Sequence, residues 1–139
     1  MIMMEIKVEG SRRNKKFVEA LLPSMITQLG LERCRKALLI RVYDECEGDN
    51  AGLTLDLSQF TGAYLVIIKP HRSLYQIGLT LAHELVHVKQ FAKGTLKQGK
   101  SGHTWAGKKY SKKTPYLDQP WEIEAFSRQE LILRRAFEE

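Results

Sequence analysis

Residues 79–91 read LTLAHELVHVKQF, and in them His83 and His87 stand four apart with Glu84 between. The run is apolar nearly all round, as a helix enclosed by its own protein must be. An imidazole or carboxylate on such a helix has to be paired or put to use, because burying it alone is costly. Extended both ways, the stretch becomes SLYQIGLTLAHELVHVKQFAKG, 73–94. Ser73 suits the N-cap, Gly94 the C-terminal end, and Lys89 and Lys93 the last turns, where cations complement the helix dipole. On this helix Gln76, Thr80, His83, His87 and Gln90 form one polar stripe, while Leu74, Ile77, Leu81, Leu85, Val88 and Ala92 face elsewhere. A polar stripe on a buried helix lines a cleft.

Working outward, SRRNKKFVEALLPSMITQLG (11–30) carries Phe17, Leu21 and Leu22 at helical spacing and stops at Gly30. Pro23 inside it is expected to kink or split that helix. KALLIRVY (36–43), LTLDL (53–57) and AYLVIIK (63–69) read as three strands, with the acidic, turn-rich DECEGDNAG (44–52) as a loop. Residues 95–117 are rich in Gly, Lys and Thr and read as loop with short strands. PWEIEAFSRQELILRRAFEE then begins on Pro120 at a first helical position. The strands fall together rather than alternating with helices, which predicts an α+β fold in one domain, 1–139.

Composition sets limits on function. A hydrophobic content of 43% allows one modest core in 139 residues and argues against global disorder. MIMMEIKVEG lacks the apolar run of a signal peptide, and no stretch approaches the ~20 apolar residues of a membrane span. Cys34 and Cys46 have no metal-binding or redox spacing. These features lead us to expect reduced thiols in a cytoplasmic protein. The formal charge is +6, and between Glu84 and Asp118 there is no acid but eight lysines: Lys89, Lys93, Lys97, Lys100, Lys108, Lys109, Lys112 and Lys113. Segment 89–113 is therefore either a solvated face or a contact for an anionic partner such as DNA, made through phosphates.

Residues i and i+4 of a helix share a face, about 5–6 Å apart. His83 and His87 can thus converge on one ion, and imidazole suits zinc. Glu84 projects roughly 100° round the helix from His83, beside such an ion and within reach of its water. This is the HExxH arrangement of two ligands and a general base. Catalytic zinc usually takes a third protein ligand and leaves one position open. PWEIEAF offers Glu122 or Glu124, about 200° apart on a helix, so only one can serve. Glu122 could instead cap its helix.

HELVH followed by a second helix with Glu-x-x-Ala resembles the gluzincin class of zinc metallopeptidases. In that class the first glutamate is the third ligand, which implies Glu122 rather than Glu124. The chain is also similar to the minimal gluzincins and to SprT-like or phage-type metallopeptidases, in which HELVH precedes a Trp-x-Gly stretch and PWEIEA. The resemblance covers roughly residues 63–130. It implies a zincin-like fold: an N-terminal helix, a small, mainly antiparallel sheet, an active-site helix and a C-terminal glutamate helix. It further implies hydrolysis of a polypeptide substrate, with Glu84 as general base and AYLVIIK as the sheet edge above the metal. Tyr116 is the favoured oxyanion donor, ahead of Tyr110 and His103, because Pro115 can fix its loop near the Glu122 helix. Trp105 and Trp121 are core residues or cleft walls.

Two departures from the class stand out. Four residues after Glu122, where many gluzincins have Asp or Asn to orient a ligand histidine, this chain has Phe126. The orienting hydrogen bond then has to come from elsewhere, for example Glu124 or a backbone carbonyl. SprT-like proteases take a third histidine from a Gly-His element, and SGHTWAG supplies His103 in a comparable place. His103 together with Glu122 would fill the coordination shell. That arrangement would fit a different protein, a non-catalytic, nucleic-acid-associated one with structural zinc. Peptide deformylases also carry HExxH, but their third ligand is a cysteine in a Gly-rich strand, a context neither Cys34 nor Cys46 has.

Overall fold

A computed structural model of the chain describes residues 2–45 and 48–138, so Cys46 lies outside the described residues. The described chain is α+β. In order come β1 (Ile6–Gly10), α1 (Arg12–Gln28), β2 (Ala37–Val42), β3 (Gly52–Leu57), the single turn α2 (Ser58–Thr61), β4 (Ala63–Ile68) and α3 (Leu74–Ala92). Three short strands follow, β5 (Leu96–Gly99), β6 (Gly102–Trp105) and β7 (Lys108–Ser111), then a 3₁₀ turn at Tyr116–Asp118 and α4 (Pro120–Glu138).

The main sheet has the order β1-β2-β4-β3. β1, β2 and β4 run parallel and only β3 is antiparallel, which corrects the expectation of a mainly antiparallel sheet. The difference comes from β1: IKVEG leads into α1, which crosses back to β2 and so makes a parallel β-α-β unit. A second correction follows from the order. AYLVIIK (β4) is an interior strand between β2 and β3, and the edge is β3. The small β5-β6-β7 sheet is antiparallel throughout.

Side chains alternate along a strand, so residues paired across the sheet share a face. Val8, Leu38, Ile40, Val42, Tyr64, Val66 and Ile68 form the buried face, against which α1 and α3 lie. Pro23 does not break α1, which runs unbroken from Arg12 to Gln28. Pro23 and Glu19, whose carbonyl loses its helical partner, are both exposed, so water can satisfy that oxygen. The N-cap expectation for Ser73 holds, as it accepts from Gln76 N, and Ser11 likewise caps α1 by accepting from Asn14 N.

Helix α4 packs along α3, and its Ala125, Ile132 and Leu133 are buried in the core the two helices share. Each fully buried Leu or Ile contributes about 1.5–3 kcal/mol. Gly78 permits the close approach: a Cβ there would lie 2.6 Å from Leu133 Cδ1. This crossing brings the first turns of α4 opposite His83 and His87. Among the described residues no helix is long and apolar enough to cross a membrane.

Candidate metal centre

His83 and His87 sit one turn apart on α3, both buried. Their Nε2 atoms converge on a single oxygen of α4, Glu122 Oε1, at 2.9 and 3.1 Å. One ligand atom from each of His83, His87 and Glu122 lies within 4.8 Å of the others, and these three residues could hold a metal ion. Glu122, not Glu124, faces the histidines.

The other ring nitrogens test whether a metal fits. His87 Nδ1 lies 2.8 Å from Gln90 Oε1, and His83 Nδ1 2.8 Å from Gln129 Oε1. The orientation of Gln90 is fixed, because its Nε2 donates to Trp121 O at 3.0 Å and to Glu124 Oε1 at 3.1 Å. His87 Nδ1 therefore donates, and with His83 Nδ1 set the same way against Gln129 Oε1, neutral rings turn their Nε2 lone pairs toward a carboxylate oxygen. Electron-rich atoms gathered this way need either extra protons on the imidazoles or a cation among them. The donor set fits a cation.

The glutamines replace the orienting residue that Phe126 cannot supply. Glu124 does act, but one step further out, by holding Gln90. Sequence reasoning placed Gln90 on the polar stripe without giving it a task, and it missed Gln129. The signal for Gln129 was its spacing: seven residues after Glu122, it returns to the same face of α4. Replacing Gln90 by leucine should weaken zinc binding about 10–100-fold while the protein stays folded. Titration against a competing chelator would measure it, and an unchanged affinity would remove Gln90 from the site.

Glu84 is buried beside the cluster, and Thr54 of β3 donates to its Oε1 at 2.7 Å. The alternation of LTLDL is inverted relative to the core. Thr54 shares the helix-facing side of the sheet with Val66, its cross-strand partner, while Leu53 is 42% exposed. Gly52, Thr54, His83, Glu84, His87 and Glu122 are among the residues lining one cavity of about 230 Å³.

Burial is the largest influence on each acid here. It raises the Glu84 carboxyl, against the pull of His87, Thr54 and His83. In Glu122 the hydrogen bonds of His83 and His87 outweigh burial and hold the carboxyl down at about 2. Burial works to lower the His87 imidazole, but the Glu122 hydrogen bond and the charges of Glu84 and Glu122 raise it overall.

Tyr116 lines the cavity and donates to Glu122 Oε1 at 3.1 Å. Burial and the Glu122 charge raise its phenol, so it stays a donor. Tyr110 is turned instead against Trp121, ring centres 5.7 Å apart. Trp121 is both buried core and cavity wall, whereas Trp105 is half-buried against the core. His103 reaches the cavity wall beside Trp121, but the gathered ligand atoms are those of His83, His87 and Glu122. Its Nδ1 is buried with no hydrogen-bond partner among the described residues. Of the lysines, Lys97 and Lys109 flank Thr104 on the outward face of β5-β6-β7, opposite the face that carries Leu96 and His103. Comparison with protein-family models, curated proteins and solved structures finds no match to this chain.

Proposed function

We propose that this chain is a zinc-dependent metallopeptidase of the gluzincin kind, in which His83, His87 and Glu122 hold the metal and Glu84 is the general base. The observation that carries this reading is the convergence of two imidazole Nε2 atoms and one carboxylate oxygen, with a second carboxylate beside them in a cleft. Two imidazoles and a carboxylate match catalytic zinc, which keeps one position open. When bound, zinc supplies a Lewis acid that polarises a carbonyl and lowers the pKa of water toward ~7. Glu84 then takes the water proton and hands it to the leaving amine. Tyr116 supplies a hydroxyl at the rim of the same cavity, available to a developing oxyanion once it leaves Glu122.

The exposed edge of β3 gives an extended polypeptide a place to lie. Lys69 N donates to Ala51 O, so the odd-numbered residues of β3 exchange hydrogen bonds with β4. The backbone groups of Gly52 and Thr54 consequently point outward, along the cavity. Asp56 O, in the same outward phase, already accepts from Gln98 Nε2. A substrate strand would pair there by β-augmentation.

The test is metal-dependent cleavage of an unfolded protein. Zinc-loaded protein should cut it, a chelator should stop the reaction, and added zinc should restore it. Zinc-loaded protein that cleaves no polypeptide would overturn the reading. The lysines of 89–113 support a separate proposal, contact with DNA phosphates. Binding should fall steeply with salt, and charge reversal at Lys108, Lys109, Lys112 and Lys113 should flatten that slope. Absence of binding at low salt would leave these lysines as a solvated face.

A further inference from the structure

We infer that Gly52 and Thr54 of the edge strand are positioning residues for Glu84, aiming its carboxylate into the cavity. This rests on the reading of Glu84 as general base. The two residues approach Glu84 from the same face of β3, two positions apart, and act on different oxygens. Thr54 Oγ1 donates to Oε1 at 2.7 Å, a charge-assisted bond that holds one oxygen and fixes the plane of the carboxylate. Gly52 leaves the space at the other oxygen free. A Cβ at position 52 would stand 2.9 Å from Oε2, 3.0 Å from Glu84 Cγ and 2.7 Å from Thr80 Cγ2. No ordinary side chain fits there without moving Glu84, Thr80 or the strand.

The same hydroxyl also lies 3.2 Å from the main-chain oxygen of Glu84. It therefore has two acceptors on the same residue, the carboxylate and the main chain of Glu84. This accounts for the inverted alternation of LTLDL: the polar residue faces inward because the helix opposite offers a carboxylate rather than an apolar side chain.

The experiment uses zinc-loaded wild type, Thr54→Val, Thr54→Ser and Gly52→Ala. Valine keeps the shape and strand preference of threonine but removes the donor. Thr54→Val should keep one zinc per chain and its KM while kcat falls roughly 10–100-fold, the worth of one hydrogen bond to a charged group. Thr54→Ser should restore most of that loss, and Gly52→Ala should lower kcat with zinc retained. Crystal structures of the zinc-loaded variants give a readout independent of turnover: the Glu84 side chain should leave its wild-type position in Thr54→Val and Gly52→Ala and keep it in Thr54→Ser. If wild type hydrolyses nothing, the peptidase reading fails and the crystallographic position of Glu84 alone decides the positioning claim. Wild-type kcat in Thr54→Val, serine as impaired as valine, or an unmoved Glu84 would each overturn it.

Discussion

Glu84→Gln is expected to keep the metal and lose hydrolysis. Glutamine has nearly the same size, and its amide oxygen can still accept from Thr54, so the fold and the His83-His87-Glu122 cluster should survive. What it lacks is a basic oxygen to take a proton from water. General-base catalysis contributes about 10²–10⁴-fold, so kcat should fall by that order with zinc content near one per chain. Burial raises the native Glu84 carboxyl, which brings it closer to the range useful for accepting a proton near neutral pH. The comparison that matters is with His83→Ala, which should lose metal and activity together. If Glu84→Gln retained wild-type turnover, Glu84 would be a buried structural acid held by Thr54. If it lost zinc as well, Glu84 would belong to the metal's ligand set.

The sequence marked its candidate site more clearly than its architecture. HELVH on an apolar run carries spacing, residue type and helical context in one turn, so His83, Glu84 and His87 could be placed before any tertiary contact was known. Glu122 needed a resemblance to choose it over Glu124, since both are compatible with a helix and only the crossing of α3 and α4 tells them apart. Residues that act through another residue were the least visible. Gln90 and Gln129 orient the imidazoles from two different helices, and Thr54 reaches Glu84 across thirty positions of sequence. Spacing put each glutamine on the right helix face, but spacing alone does not say which group it holds.

The sheet went astray for a different reason. IKVEG is short and carries two charged residues among five, so its strand character depends on pairing with β2. Strand order is likewise a non-local property: AYLVIIK is the most apolar strand because it is central, and LTLDL alternates because it lies at the edge. Continuous apolar runs belong to strands enclosed on both faces or flanked on both sides. That principle, applied to the sequence, would have placed β4 inside.

The stabilising effect of zinc should grow as pH rises from 5 to 8, and His87→Ala should abolish it. In the metal-free protein His87 has its folded pKa raised from 6.5, so its contribution is fully present below that value and lost as pH rises through the raised one. Glu122 has its folded pKa lowered from 4.5, so its contribution is present above 4.5 and lost as pH falls through about 2. The two overlap between about 4.5 and 6.5, where protonated imidazole and carboxylate hold the site together without metal. Zinc needs the imidazoles deprotonated, so in that window protons compete with it. Above the window the proton-mediated pairing fades, and the lone pairs around Glu122 Oε1 are left facing one another unless a cation joins them. At free zinc about 100-fold above Kd, binding adds ~2.7 kcal/mol. For a domain of this size that corresponds to a rise in Tm of about 10 °C. Thermal unfolding with and without zinc, at pH 5 and pH 8, measures the effect directly. A zinc-induced rise equal at both pH values would show that the metal binds away from the histidines, and a rise that survives His87→Ala would say the same.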